Sequence, residues 1–229
     1  LVNDVLQVSK LESGRPAAVE EPFDLFAALE DCITMLSSLA EERGVRLELK
    51  KAELPHRRLV GNPLHVKQIL MSVIDNALKY NRPQGSVFVQ AEETAFQDGI
   101  ARCQFVIEDT GIGIGEEFKA HIFEPFAQEH QDARTNYNGV GLGMSIVKKL
   151  VDQMGGAVEI DSRVGRGSVV RITLPMRVNE LGNEPAEDEN LNILGNVAGM
   201  RVLLVEDNEI NCEIVEYILE EAGARVVTA

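Results

Sequence analysis

The segment EDTGIGIG (108–115) constrains this chain most, because it directly follows an apolar stretch, IARCQFVIED (100–109), that reads as a strand. Gly111 and Gly113 permit backbone conformations that other residues avoid, and they carry no Cβ atom to block a close approach. Asp109 stands where the strand ends, so its carboxylate can accept a hydrogen bond from a bound group. The pattern also fits a glycine turn capped by Asp109, and this segment alone does not separate the two interpretations.

A second glycine-rich segment, NGVGLGM (138–144), opens a helix predicted over residues 141–154. Successive backbone N–H groups and the partial positive charge of a helix N-terminus favour phosphate binding there. A dinucleotide-binding fold would place a strand just before these glycines. The preceding residues, 127–138, are polar and typical of a loop, so that interpretation is disfavoured.

The third segment, HVKQILMSVIDNALKYN (65–81), reads as an amphipathic helix that begins after Asn62 and Pro63. Ser72 and Asn76 are one turn apart and share a face. An amide oxygen at that position is a suitable ligand for Mg²⁺, which prefers oxygen donors. A core helix with a satisfied asparagine is the simpler interpretation when this helix is considered alone.

Polar residues at the end of the same helix suit a nucleotide. Lys79 can meet a phosphate as a point charge. Tyr80 can stack on an adenine ring.

The remaining pattern predicts alternating helices and strands. Asp24 is expected to cap a helix that ends at Gly44, and a tight turn is expected at Asp98-Gly99. Further predicted elements are strands at 45–50, 86–93 and 200–207, a hairpin of 157–162 with 168–175, a helix at 208–222 and the start of a strand at 225–229.

The net charge of −15 is concentrated at one end of the chain. Residues 179–229 contain 2 basic and 12 acidic residues, and 179–199 reads as an acidic linker. This balance argues against nucleic acid as a partner, because such surfaces need clustered cations. No apolar run reaches the length of a membrane span, and three scattered cysteines predict a reducing, cytoplasmic setting.

In this order, the three segments resemble the N box and the first two glycine boxes of the sensor histidine kinase catalytic domain. That domain belongs to an ATPase superfamily shared with gyrase, a heat-shock chaperone and MutL. Residues 121–128 (HIFEPFAQ) resemble its F box, 165–175 (GRGSVVRITLP) its last glycine box, and 1–15 the end of the preceding dimerisation helix hairpin. The resemblance implies an α/β fold over residues 16–178, a Bergerat-type two-layer sandwich with a mixed sheet and helices on one face.

The resemblance also implies ATP and Mg²⁺ as cofactors and gives the segments their roles. Asp109 would accept from the adenine amino group beside Gly111 and Gly113, Asn76 would ligate Mg²⁺, and Lys79 and Tyr80 would contact nucleotide. Residues 127–140 would form a lid in which Arg134 is a candidate γ-phosphate contact, with a solvated loop arginine as the alternative. The lid would close over the phosphates with Gly139, Gly141, Leu142 and Gly143.

Position 72 departs from the family pattern, since the family commonly has asparagine there and this chain has Ser72. The gyrase and chaperone branch has glutamate at the matching place, as a base for water. Serine cannot serve as that base, so an ATPase that attacks with water is disfavoured. Transfer of the γ-phosphoryl group to a histidine fits better. A non-catalytic nucleotide-sensing or interaction module stays the main alternative.

The phosphorylated histidine of the family lies in HE followed by an aliphatic residue and RTP. None of His56, His65, His121 and His130 has that context. The acceptor is therefore expected upstream of Leu1, on dimerisation helices that would pair two copies of the full-length protein.

Residues 200–229 resemble the beginning of a response-regulator receiver domain, cut short before the strand that carries its phosphorylated aspartate. Glu206 and Asp207 match the acidic pair of that family, and Asp207 would be the main Mg²⁺ ligand. The sequence thus predicts part of a cytoplasmic hybrid kinase that works with a receiver domain, and leaves open whether the parent protein is membrane-anchored.

Overall fold

A computed structural model describes residues 20–128, 141–179, 199–204, 223 and 225–228. The chain divides into two units, Leu1–Gly182 and Asn183–Ala229. The elements of the first unit are β1 (Glu21–Asp24), α1 (Leu25–Glu42), β2 (Arg46–Glu53), β3 (Arg58–Gly61), α2 (Pro63–Lys79), β4 (Ser86–Gln97), β5 (Ile100–Asp109), α3 (Glu116–Lys119), α4 (Gly143–Gln153), β6 (Ala157–Arg163) and β7 (Gly167–Val178).

Side-chain caps fix the starts of the two longest helices. The Asp24 carboxylate accepts a hydrogen bond from the Ala27 amide at 2.9 Å, which begins α1. The Asn62 side-chain oxygen accepts from the His65 amide at 3.1 Å, and Pro63 follows as the first residue of α2. Both caps satisfy an N–H group that has no partner inside the helix.

Replacing Asp24 with alanine should lower the free energy of unfolding by about 1 kcal/mol, because the Ala27 amide loses its acceptor. The midpoint of urea unfolding at an unchanged m-value measures this loss. Glu30→Ala removes an exposed carboxylate from the same helix and should change stability by less than about 0.5 kcal/mol. Equal losses in the two variants would contradict a capping role.

The seven strands of the first unit form one mixed sheet in the order β1-β3-β7-β5-β4-β2, and β6 also pairs with β7. Only the β2–β4 pair is parallel among these strands. In the central β5–β7 pair, Asp109 lies opposite Ser168. The last residue of β5 therefore lies beside the second residue of β7, near the turn of the β6–β7 hairpin.

The helices cover one face of this sheet. Alternate residues of β5, namely Ala101, Cys103, Phe105 and Ile107, are buried and join the buried residues of α1, α2 and α4 in one core. Helix α2 lies between α1 and α4 and contacts both. The predicted two-layer α/β sandwich with helices on one face is confirmed.

The cysteines Cys32 and Cys103 are free thiols within this core. Burial raises the pKa of Cys32 to about 11 and the pKa of Cys103 to about 12. Both side chains are therefore protonated at neutral pH and serve as small apolar residues.

The sequence pattern missed β1 and β3, which are four residues each, and placed the end of β4 too early, at residue 93. In the second unit, β8 (Arg201–Leu204) and β9 (Arg225–Thr228) pair in parallel. The predicted helix at 208–222 lies outside the described residues, as does the predicted helix at 1–15.

Candidate functional site

Asp109 ends β5 with its side chain held by two neighbouring segments. Its Oδ1 atom accepts a hydrogen bond from the Gly111 amide at 2.8 Å, and Ser168 bonds to the same carboxylate. Burial raises the pKa of Asp109 above its ordinary value, while the bonds from Gly111 and Ser168 oppose this shift and the neighbouring Glu108 adds to it. A largely desolvated carboxylate at a strand end marks a candidate binding group.

Asp109 therefore fits both interpretations of the sequence. One oxygen caps the glycine turn, as the simpler interpretation predicts. A carboxylate has two oxygens and several acceptor positions, so capping leaves room for a ligand donor.

Two buried serines, which sequence reasoning missed, support this carboxylate from the hairpin. Ser162 lies 2.9 Å from Ser168 between their hydroxyl oxygens, and Ser162 also accepts from the Ile114 amide at 2.8 Å. The loop after β5 is thereby tied to both strands of the β6–β7 hairpin. The sequence contained one signal for Ser168: alternate residues of a strand share a face, and Ser168 is two residues before the buried Val170 of β7.

The glycines of the first segment are packed against the protein's own backbone. A Cβ atom at Gly111 would lie 2.4 Å from the Tyr80 carbonyl oxygen. At Gly113, where φ is +71°, it would lie 2.0 Å from the Arg163 carbonyl oxygen. The sequence predicted that these glycines leave room for a ligand, and this explanation is incomplete. Both positions must also be glycine because the chain passes between α2 and the β6–β7 hairpin there.

The end of α2 brings three predicted site residues together. Tyr80 follows the last turn and is 37% exposed. The Lys79 ammonium lies 5.0 Å from the centre of the Tyr80 ring. Asn76 is half-buried one turn earlier, and its side chain has no hydrogen-bond partner among the residues the structure describes.

The satisfied amide that the simpler interpretation of α2 expected at Asn76 is instead found at Asn81. Asn81 is only 7% exposed, and its amide nitrogen donates to the carbonyl oxygens of Ala77 and Ser86 at 3.1 Å each. Its oxygen accepts from the Thr110 hydroxyl at 3.3 Å. Asn81 therefore fixes the end of α2 to β4 and to the loop after β5.

The second glycine segment leads into α4 through a turn that requires glycine. Gly141 has a φ of +73°, and its carbonyl accepts from the Phe126 amide at 3.0 Å. A Cβ atom here would lie 2.7 Å from the Ala127 carbonyl oxygen. The predicted F-box residues thus hold the start of α4.

Helix α4 begins at Gly143, next to the predicted magnesium ligand. A Cβ atom on Gly143 would lie 3.7 Å from the Asn76 side-chain nitrogen, so the two residues are neighbours. Leu142 precedes the helix as a buried residue without a side-chain cap. The first N–H groups of α4 therefore lie beside Asn76 and suit an anion.

Several predicted site residues lie outside the described residues. They are Arg134 and Gly139, with residues 129–140 of the predicted lid, and Asp207 of the predicted receiver segment.

Within the described ranges, no group of three or more histidine, cysteine, aspartate or glutamate side chains could hold a metal ion. A divalent cation at Asn76 would therefore need further oxygen ligands from a bound molecule or water. No helix in the described part of the chain is long and apolar enough to cross a membrane.

Comparison with known proteins places this geometry in context. Residues 61–178 match the family model described as histidine kinase-, DNA gyrase B-, and HSP90-like ATPase. The matched range contains α2, both glycine-rich segments and the β6–β7 hairpin.

Full-length relatives extend the similarity over the whole chain. Sensor histidine kinase AruS of Pseudomonas aeruginosa is 34% identical over 230 residues, which cover 100% of this chain and 22% of the relative. The histidine-protein kinase BarA of Escherichia coli is 31% identical over 99% of this chain and 24% of its own length. The circadian histidine kinase CikA of Synechococcus elongatus is 32% identical over 99% and 29%. The chain thus spans about a quarter of the length of these relatives.

A solved structure shares the fold. Full-length ShkA, crystallised in complex with AMPPNP, matches with a TM-score of 0.66 and 27% identity, covering 100% of this chain and 44% of that one. The mycobacterial sensor histidine kinase MprB matches with a TM-score of 0.55 and 26% identity over 70% of this chain.

Proposed function

The chain belongs to the family of histidine kinase-, DNA gyrase B- and HSP90-like ATPases, and from this we propose that it is the catalytic part of a hybrid sensor histidine kinase. It would bind Mg-ATP and transfer the γ-phosphoryl group to a histidine on dimerisation helices. In this proposal residues 16–178 are the catalytic domain, 1–15 end the dimerisation hairpin, 179–199 are a linker, and 200–229 begin a receiver domain.

The desolvated carboxylate of Asp109 is the observation that carries the proposal. Its neighbours Gly111 and Ser168 hold it at the strand end, while burial disfavours its charge. A ligand that donates to this carboxylate recovers part of that cost, as the exocyclic amino group of adenine can. The similar structure of full-length ShkA, which was crystallised in complex with AMPPNP, supports an adenine nucleotide as that ligand.

The residues at the other end of the site fit a Mg-phosphate group. Asn76 offers a half-buried amide with no partner among the described residues, beside Gly143 at the start of α4. Mg²⁺ would be held there by the Asn76 oxygen with phosphate oxygens and water, and would neutralise charge on the transferred group. Lys79 and Tyr80 would contact the nucleotide from the end of α2.

The phosphates would lie at the N-terminus of α4, over Gly141, Leu142 and Gly143. The N–H groups of the first helical turn provide donors that the helix itself does not use. Arg134 and Gly139 would complete this contact from the lid.

Transfer to a protein group is favoured over attack by water because of the residue at position 72. Ser72 lies on α2 one turn before Asn76, and it offers no carboxylate to activate water. The partners of the proposed kinase are the dimerisation helices of the same protein, in a homodimer, and a receiver domain. The setting would be cytoplasmic.

The decisive experiment supplies the acceptor in trans. The chain is incubated with γ-labelled ATP, Mg²⁺ and a separate dimerisation hairpin that carries the family's histidine. Acid-labile label on the hairpin is expected, and a hairpin with alanine in place of that histidine should take up none.

The other outcomes separate the rival functions. Nucleotide binding without label on the hairpin would identify a non-catalytic sensing module. Steady release of phosphate without labelled protein would identify a water-using ATPase, and no binding of adenine nucleotides would reject the family's activity for this chain.

A further inference from the structure

The 111–113 loop is bonded on both sides through a single residue, Ile112. Its amide donates to the Tyr80 carbonyl at 3.1 Å, at the end of α2. Its carbonyl accepts from the Gly165 amide at 2.7 Å, in the β6–β7 turn of residues 164–166. The loop that follows the proposed base contact Asp109 is therefore held between two segments that are far apart in sequence.

One side chain connects those two segments to each other. The Arg82 guanidinium donates from Nη2 to the Gly165 carbonyl at 2.7 Å, although 83 residues separate the two. The Arg82 amide is in turn fixed, because it donates to the buried Asn81 side chain at 2.9 Å. The bonds through Tyr80, Ile112, Gly165 and Arg82 form a closed ring around the loop.

We propose that Arg82 is a positioning residue for nucleotide binding, which clasps the 111–113 loop by holding the β6–β7 turn against the end of α2. The inference rests on the proposed function, since the loop follows the proposed base contact Asp109. The backbone of the loop has little freedom, because Gly111 and Gly113 are already packed against Tyr80 and Arg163 on either side. Loss of the clasp would let the turn move away and widen the space in which the base is held.

Arg82 would act on the base and not on the phosphates, although it is a cation near the site. A guanidinium attracting phosphate would favour ligands in proportion to their charge. A clasp on the base-binding loop would affect every ligand that contains adenine by the same factor. Adenosine, ADP and ATP therefore distinguish the two roles.

Arg166 offers a matched control in the same turn. Its side chain is exposed and makes no hydrogen bond or ion pair with any described residue, and removing it changes the net charge by the same amount. Arg82→Lys retains the charge and one donor but loses the planar fork of arginine.

The test measures binding of adenosine, ADP and ATP to the whole chain by calorimetry. Arg82→Ala should weaken all three by the same factor, about threefold to tenfold, which corresponds to one exposed hydrogen bond. Arg82→Lys should fall between this variant and the unchanged protein, and Arg166→Ala should change each affinity by less than about twofold. Hydrogen exchange at the Ile112 and Gly165 amides should accelerate in Arg82→Ala and not in Arg166→Ala.

A loss that grows from adenosine to ATP would overturn the clasp in favour of a charge effect. Equal losses in the Arg82 and Arg166 variants, or unchanged exchange at Ile112 and Gly165, would also overturn it. If the unchanged protein bound none of the three ligands, the proposed function itself would fail, which is a separate result.

Discussion

Asp109→Asn should weaken ATP binding by about tenfold or more, because the carboxylate oxygen that the turn cap leaves free is replaced by an NH2 group, which cannot accept from the adenine amino group. Asparagine has nearly the same shape, and its side-chain oxygen can still accept from the Gly111 amide. The turn after β5 should therefore keep its conformation. Calorimetric titration with ATP and with adenosine measures the change, and both ligands should lose the same factor because the contact is to the base.

Glu108→Gln is the matched control for this variant. Glu108 is exposed and adjacent in sequence, and it lies on the opposite face of β5. The substitution removes the same charge as Asp109→Asn. Because the Glu108 carboxylate is exposed and therefore screened by solvent and salt, ATP affinity should change by less than about twofold. Comparable losses at positions 108 and 109 would show that general electrostatics, and not base recognition, sets the affinity.

The stability of Asp109→Asn should change in the opposite direction to its affinity. Burial raises the pKa of Asp109 in the folded chain above its value in the unfolded chain. The protonated form therefore stabilises the fold below the unfolded pKa of about 3.9, and this contribution is lost as the pH rises through the folded pKa. At neutral pH the ionised carboxylate is destabilising, so the nucleotide-free variant should melt above the unchanged protein, and the difference should disappear in acid.

This opposition between ligand affinity and the stability of the free protein is typical of a binding site, because a group that is buried to bind a ligand destabilises the ligand-free fold. A lower melting temperature for Asp109→Asn at neutral pH would show that the bonds from Gly111 and Ser168 outweigh the cost of burial. In that case Asp109 would act mainly as the cap of its turn.

Local signals in the sequence were sufficient for most of the architecture. The caps at Asp24 and Asn62 act within three residues, and so they are visible in the sequence itself. The turn at Asp98-Gly99 is equally local, with positive φ values of 52° and 75° that suit this residue pair in a tight hairpin. Each of these features depends on residues close in sequence.

The strands β1 and β3 depend instead on distant pairing. They pair with each other, and β3 also pairs with the end of β7 through Leu59 and Val60. Four residues are too few to establish a period of two. These strands form because β3 pairs with the end of β7 and β1 pairs with β3, and the periodicity of the sequence does not reveal such long-range pairing.

The candidate site shows the same division. Asp109, Asn76 and the glycines were identified from segments of known spacing, whereas Asn81, Ser162 and Arg82 act through partners in other segments. The Arg82–Gly165 bond joins residues that no local pattern connects. Residues that contact a ligand can be read from motifs, but residues that hold those motifs together require the fold.

Asn76→Ala should reduce phosphoryl transfer to the hairpin histidine by about a hundredfold or more, while adenosine binding changes by less than about threefold. Asn76 lies beside Gly143 at the start of α4, so its loss should affect the Mg-phosphate end of the site. The rate of acid-labile labelling under single-turnover conditions measures the first quantity, and adenosine titration measures the second.

The dependence on Mg²⁺ gives this variant its most specific readout. If the Asn76 oxygen is a ligand, the unchanged chain should bind ADP more tightly with Mg²⁺ than without it, and Asn76→Ala should lose that increment. Asn76→Asp retains an oxygen donor, and a carboxylate is also a ligand that Mg²⁺ accepts, so this variant should keep the increment. Because adenosine carries no phosphate, its affinity should be the same with and without Mg²⁺ in all three proteins.

If Asn76→Ala kept both the Mg²⁺ increment and the labelling rate, the half-buried amide would only fill space between α2 and α4. The magnesium ligand would then have to be sought elsewhere in the chain.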